Sequence, residues 1–194
     1  MGQKSFIQNP GSQPKRIIMK RLLPVFLIVF VTGILTGCGY TTRSTLAGHL
    51  NTIHVEAFDN KIAYTSSTSK SIYFPLLEVD IRNAIIDRIL FDGNLKIADA
   101  GQSDLVLKGE LIGYEKQPLR FTDGDDVEEY RIHVIVSLKL WDNSKNALRW
   151  SESRFVGEST YFVRGSQVTS EESAVNEAIA DLARRIVERT VEDW

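Results

Sequence analysis

The chain has 194 residues, with 23 Lys and Arg against 25 Asp and Glu, a formal net charge of −2, three histidines and a single cysteine. One cysteine cannot close a disulfide within the chain, so stability has to come from a packed core. His49, His54 and His133 stand far apart in sequence and show no HExxH spacing, which leaves no metal-ligand motif.

Lys15, Arg16, Lys20 and Arg21 lead into an apolar run from Leu22 to Leu35 that closes on Thr36 and Gly37. This is the layout of a secretory signal. A membrane-spanning helix needs about 20 apolar residues. The run is shorter and carries Pro24 and Gly33, so cleavage is expected rather than spanning, and Met19-Lys20-Arg21 alone would make a normal signal start. Leu35-Thr36-Gly37-Cys38 resembles the lipobox of bacterial lipoproteins. That resemblance implies a diacylglycerol on the Cys38 sulfur, cleavage before it, and acylation (palmitate) of the new amine. Loss of residues 1–37 removes five basic residues and no acid, leaving a net −7. A nucleic-acid binder would carry the opposite sign, and that class is excluded. Cys38 to Trp194 is 157 residues, enough for one domain that buries about two-thirds of its unfolded surface.

Residues 38–50 read as a lipidated tether, polar and rich in small side chains, and 51–194 as a single domain. Ile53, Val55 and Ala57 alternate with polar residues as in a half-buried strand. Residues 61–72 are rich in Ser and Thr and read as a loop. Pro75 suits the first turn of a helix whose apolar stripe is Leu77, Ile81, Ala84, Ile85 and Ile89, with Gly93 just past its end. Leu95 to Ala98 is short and extended. Residues 104–116 alternate again, with Gln117-Pro118 expected to close that strand. The acidic loop 121–129 turns the chain into residues 130–141, whose inner face is Tyr130, Ile132, Val134, Val136, Leu138 and Leu140. Asp142 to Asn146 reads as a hairpin turn into a last strand, with a bulge expected near Ser153. Thr169 and Glu172 have capping-box spacing ahead of a long closing helix striped by Val175, Ala178, Ile179, Leu182, Ile186 and Thr190.

The order β-α-β-β-β-α predicts an α+β fold, two helices on one face of a mixed, mainly antiparallel four-stranded sheet. The first strand is expected to pair parallel to a neighbour. The opposite sheet face would then collect Val106, Lys108, Glu110, Ile112, Tyr114, Lys116, Arg131, His133, Ile135, Ser137, Lys139 and Trp141. Lys108, Ile112, Arg131, Lys139 and Trp141 are the candidate contacts on that face, basic groups for phosphates and apolar groups for acyl chains or a protein wall. No GxSxG elbow or GxxxxGK[ST] phosphate loop occurs, and the acidic run at 123–129 lacks the twelve-residue calcium frame. No enzyme, cofactor or metal is expected beyond the acyl chains on Cys38.

Gly37-Cys38-Gly39-Tyr40, the strand NTIHVEAFDN, the helix EVDIRNAIIDRILFDGNLKIAD, the strand SDLVLKGEL and the closing segment from Thr160 together resemble the LptE-like lipopolysaccharide-assembly lipoproteins of Gram-negative outer membranes. The resemblance implies a non-enzymatic, lipid-anchored protein on the periplasmic side of the outer membrane. It would assemble with and plug the outer-membrane translocon β-barrel and bind lipopolysaccharide. Gly39 after the lipidated cysteine fits outer-membrane sorting. IHVEAFDN and DLVLKGEL also resemble curli-secretion-like domains, and the alternative is a lipoprotein component of another secretion or envelope complex.

Overall fold

The computed structural model describes residues 46–62 and 75–192. The signal, Cys38, the first part of the tether and most of the Ser/Thr-rich segment lie outside the described residues. Eight elements follow in order: β1 (Thr52–Val55), β2 (Asp59–Asn60), α1 (Leu77–Asp92), β3 (Lys96–Ile97), β4 (Leu105–Phe121), β5 (Val127–Asp142), β6 (Ala147–Phe162) and α2 (Glu171–Val191).

They build one sheet in the order β3-β1-β4-β5-β6, with β2 lying on β4 beyond the end of β1. β1 runs parallel to both β3 and β4, and β2 runs parallel to β4. The β4–β5 and β5–β6 pairings are antiparallel. The α+β class and the parallel first strand agree with the sequence reading, whereas the four-stranded, mainly antiparallel sheet is corrected to a mixed sheet of six strands. The reason is length. β2 and β3 have two residues each, too few to display alternation, and both exist because a parallel neighbour supplies their hydrogen bonds.

The core lies between the sheet and the two helices. α1 presents Leu77, Ile81, Ile85 and Ile89, every fourth residue, and all four are buried. Gly93 ends the helix at φ 75°, its N–H donating to the Ile89 carbonyl. Pro75 stands two residues ahead of the first helical residue, outside the turn where it was expected, because Leu76 takes a left-handed conformation (φ 66°) and the helix begins at Leu77. α2 buries the whole expected stripe, widened by Ala174, Ala183, Val187 and Val191. Its cap is Ser170, whose hydroxyl accepts from the Ser173 N–H at 3.0 Å. Thr169 lies one residue ahead of the cap, its N–H donating to the Phe162 carbonyl, because the helix begins at Glu171, one residue later than the Thr169–Glu172 spacing places it. Leu46 and Ala47 pack against the core and Leu50 is buried in it, ahead of the first strand.

Two close approaches depend on glycine. A Cβ on Gly157 would stand 2.3 Å from the Ala178 carbonyl oxygen and 2.5 Å from the Leu182 Cβ, so α2 lies directly on the β6 backbone there. A Cβ on Gly109 would stand 2.1 Å from the Phe58 ring, which covers β4 between β1 and β2. The free edge of β6 is also guarded by α2. Asp181 accepts from the Glu158 N–H at 3.3 Å and Arg185 donates to the Val156 carbonyl, so two edge groups that would recruit a foreign strand are occupied.

β4 does not stop at Gln117-Pro118 but pairs with β5 out to Phe121. Proline is tolerated because no strand lies on the outer edge of β4 at that level among the described residues, and its missing N–H costs no ladder bond. The bulge expected near Ser153 is present, as a register shift between Val136 and Leu138 opposite residues 152–155, and a second shift falls opposite Arg149.

Candidate functional site

The sheet face away from the helices is the candidate surface, and its layout follows from one insertion. Leu111 pairs with Val136, but Gly113 pairs with Ile135, so Ile112 is the extra residue of a bulge. Side chains alternate across a strand, and one extra residue exchanges the two faces from there on. Tyr114 therefore pairs with buried Val134 and Lys116 with buried Ile132, on the helix side. Both were expected on the open face, and this is a correction. Glu115 and Gln117 take their places beside His133 and Arg131.

Before the bulge, Lys108 and Lys139 stand directly opposite each other on β4 and β5, two residue pairs along from Val106 and Trp141. Like charges in that position repel, at a cost of about 0.2–1 kcal/mol. Lys108 is compensated by Glu56 at 3.0 Å, while Lys139 makes no ion pair among the described residues. The two lysines line an open hollow of about 510 Å³ with Glu56, Val106, Trp141 and Asn143. A smaller hollow of about 180 Å³ adjoins it at the same lysines, bordered by Glu110 and Ser137. The Asp142 carboxylate at the rim is engaged by Ser144, Lys145 and Arg149. Burial pushes it up, and those partners hold it below the usual carboxylate range.

The other candidates lie elsewhere. Arg131 is half-buried on the open face, eight residues along β5 from Lys139, roughly 27 Å at strand rise. Ile112 is half-buried in the bulge and does not line the hollow. The structure thus brings together Lys108, Lys139 and Trp141, and separates Arg131 and Ile112 from them. Between the two regions, Glu115, His133 and Glu158 stand opposite one another across β4, β5 and β6, with His133 at 3.5 Å and 3.4 Å from the two carboxylates. Arg154 pairs with Glu115 at 3.2 Å. Burial raises the Glu115 carboxyl, and Arg154 and His133 more than offset it, leaving it low. Val106 was expected on this face with Lys108, whereas Glu56 and Asn143 could not be chosen from sequence because they come from segments outside the two facing strands. The cross-strand row of Glu115, His133 and Glu158 needed the register after the bulge.

On the helix side, Glu171 in the first turn of α2 accepts from Tyr114 (2.7 Å) and Tyr161 (3.0 Å) and pairs with Lys116. The Lys116 ammonium lies 4.5 Å from the Tyr130 ring centre. Burial drives the Glu171 carboxyl up, but Lys116 and the two hydroxyls overcome it and hold it low. Burial and the Glu171 charge both raise the Tyr114 phenol. This cluster fastens the start of α2 to β4 and β6.

The arrangement suits binding. The open face offers paired charges, two facing lysines and a tryptophan, and among the described residues no three His, Asp or Glu side chains converge as metal ligands.

Comparison with known proteins gives the same architecture. Protein XCC0632 from Xanthomonas campestris superposes with a TM-score of 0.51 at 12% identity, over 72% of this chain and 83% of that one. Lipoprotein B of Nitrosomonas europaea superposes with a TM-score of 0.50 at 14% identity, over 73% and 83%. At such identities the likeness is one of fold. No match is found among curated proteins. The family model described as LptE, lipopolysaccharide-assembly, matches residues 50–190. That span begins at buried Leu50, ends at buried Thr190 and takes in both helices and every strand, so the match is to the domain as a whole, and the chain belongs to the LptE lipopolysaccharide-assembly family.

Proposed function

We propose that this protein is a lipid-anchored, non-catalytic component of the outer-membrane lipopolysaccharide export machinery. It would be acylated at Cys38, seated with the translocon β-barrel on the periplasmic side, and would bind lipopolysaccharide through the sheet face that the helices leave open. Family membership supports the assignment to lipopolysaccharide assembly and to the transport machinery. The observation that carries the binding reading is the facing pair Lys108 and Lys139 beside Trp141. Two lysines held opposite each other, of which only Lys108 has an ion-pair partner among the described residues, gain from a multivalent anion, and a phosphorylated lipid brings acyl chains that suit the neighbouring tryptophan.

The test uses the full-length protein extracted from membranes. Mass spectrometry of the mature chain should find Cys38 acylated, and affinity capture should bring down an outer-membrane barrel protein as the tightest partner. Lys108→Glu with Lys139→Glu should weaken lipopolysaccharide binding in a salt-dependent way, with the barrel retained. Unchanged binding by that double variant removes the open face from the reading. Capture of a secretion channel in place of the lipopolysaccharide translocon favours the alternative envelope complex.

A further inference from the structure

The two hollows on the open face share a wall. Glu56, Lys108 and Lys139 line both of them, with Val106 and Trp141 on one side and Glu110 and Ser137 on the other. An anion seated at that wall meets two bases and one acid. A surface that only had to hold phosphate would gain nothing from a carboxylate at its centre, so the position of Glu56 needs a physical reason.

The other acids around the hollows are disposed differently. Asp59 pairs with Lys61 at 3.5 Å, Asp142 is engaged by Ser144, Lys145 and Arg149, and Glu110 makes no ion pair among the described residues. Glu56 is the acid set on one of the facing lysines, its Oε1 3.0 Å from the Lys108 Nζ. Its backbone fixes it there. Val55 pairs with Leu107 in parallel, and the Glu56 N–H donates to the Leu107 carbonyl at 2.9 Å, so the Glu56 side chain leaves the chain beside Lys108. The tips are in water, with the Glu56 side chain 38% exposed and that of Lys108 49%. An ion pair that open is weak and exchangeable.

We propose that Glu56 is a displaceable counter-ion built into the site: in the empty protein it occupies Lys108, and an incoming phosphate meets Lys139 first and then takes Lys108 from it. The inference rests on the reading that phosphorylated lipid binds at the facing lysines. A phosphate monoester carries a charge of about −1.5 to −2 and three acceptor oxygens. It therefore outcompetes a single carboxylate and can span two lysines whose Cβ atoms stand about 5 Å apart. The exchange needs a rotation of one side chain and no movement of the sheet. Because the competitor belongs to the chain, its effective concentration is fixed, and it returns to Lys108 whenever the phosphate loosens. A site that passes its ligand on has to bind firmly enough to load and weakly enough to unload. Glu56 supplies the second half of that requirement, and in the empty site it compensates the like-charged pair.

The test measures affinity and release of purified lipopolysaccharide on the full-length protein immobilised in detergent. Glu56→Gln should bind several-fold more tightly than the parent, mostly through slower release, with a nearly unchanged melting temperature because the pair is exposed. The same substitution made in a Lys108→Gln background should lose most of that gain, since the carboxylate then has no lysine to reclaim. Unchanged or weaker binding by Glu56→Gln overturns the exchange. A gain of the same size in the Lys108→Gln background also overturns it, because Glu56 would then act only through its general field. In either case, weakened binding by Lys108→Glu with Lys139→Glu leaves the open-face reading standing. Unchanged binding by that double variant overturns the open-face reading and the exchange together.

Discussion

Lys116 on β4 pairs with Glu171 at the start of α2, 55 residues away in sequence, and it can do so only because the extra residue Ile112 turns it to the helix side. The open face and the fastening of α2 are therefore two results of one bulge.

Deleting Ile112 tests this. With the insertion gone, regular alternation would return Tyr114 and Lys116 to the open face and drive Glu115 and Gln117 into the core. The deletion is expected to abolish cooperative melting at ambient temperature, whereas Ile112→Ala, which keeps the register, should lower stability by no more than about 1–2 kcal/mol. Equal, mild effects of the two changes, measured by circular dichroism, would show that the strand absorbs the slip.

The Glu171 cluster predicts a window of pH. A carboxyl held low in the fold stabilises fully above its unfolded value of about 4.3, and that stability is lost as pH falls through the lower folded value. Lys116 is raised despite burial, by Glu171 and Tyr161, and the Tyr114 phenol is raised as well. Both contributions are present at neutral pH and lost as pH rises past about 10. Glu171→Gln should cost about 1–3 kcal/mol at pH 7, as for hydrogen bonds to a charged group. It should also flatten the fall in melting temperature between about pH 5 and pH 3. An acid limb as steep as the parent's would place the responsible carboxyl elsewhere.

Gly157→Ala should be costly, since the new methyl meets helix backbone and a Cβ, neither of which can rotate away. About 1–3 kcal/mol is expected, the range for overpacking a close contact. At Gly109→Ala the nearest atoms to the new methyl are all of the Phe58 ring. Its loss should be recovered in large part by Phe58→Leu in the same chain, a coupling that a double-mutant cycle in urea would read directly.

Lys139→Glu separates binding from stability. It would replace a like-charge cross-strand pair with an opposite-charge one, for a gain of about 0.2–1 kcal/mol that salt diminishes. Affinity for phosphorylated lipid should fall in the same variant. A lower melting temperature together with unchanged affinity would contradict the role given to the hollow at both points.

Leu138→Ala probes the core face of β5. Leu138 is 1% exposed, and truncation of such a residue costs about 2–5 kcal/mol.

Much of this architecture was legible in the residues themselves. The spacing of Leu77, Ile81, Ile85 and Ile89, the alternation from Tyr130 to Leu140 and the stripe from Val175 to Thr190 each record burial on one face, and burial is what a periodic apolar pattern encodes. Local pattern could not count the strands, because β2 and β3 have no pattern of their own and arise from pairing with β4 and β1. Nor could it find the insertion at Ile112. Tyr and Lys are amphipathic enough to stand on either face, so the sequence after Leu111 reads equally well in both registers. What settled the register was tertiary: Glu171, brought to the sheet by a helix more than fifty residues on, gives Tyr114 and Lys116 a charged partner on the covered side. The facing of Lys108 and Lys139 was decided in the same way, by hydrogen-bond register between two strands, a relation between segments that neither segment contains alone.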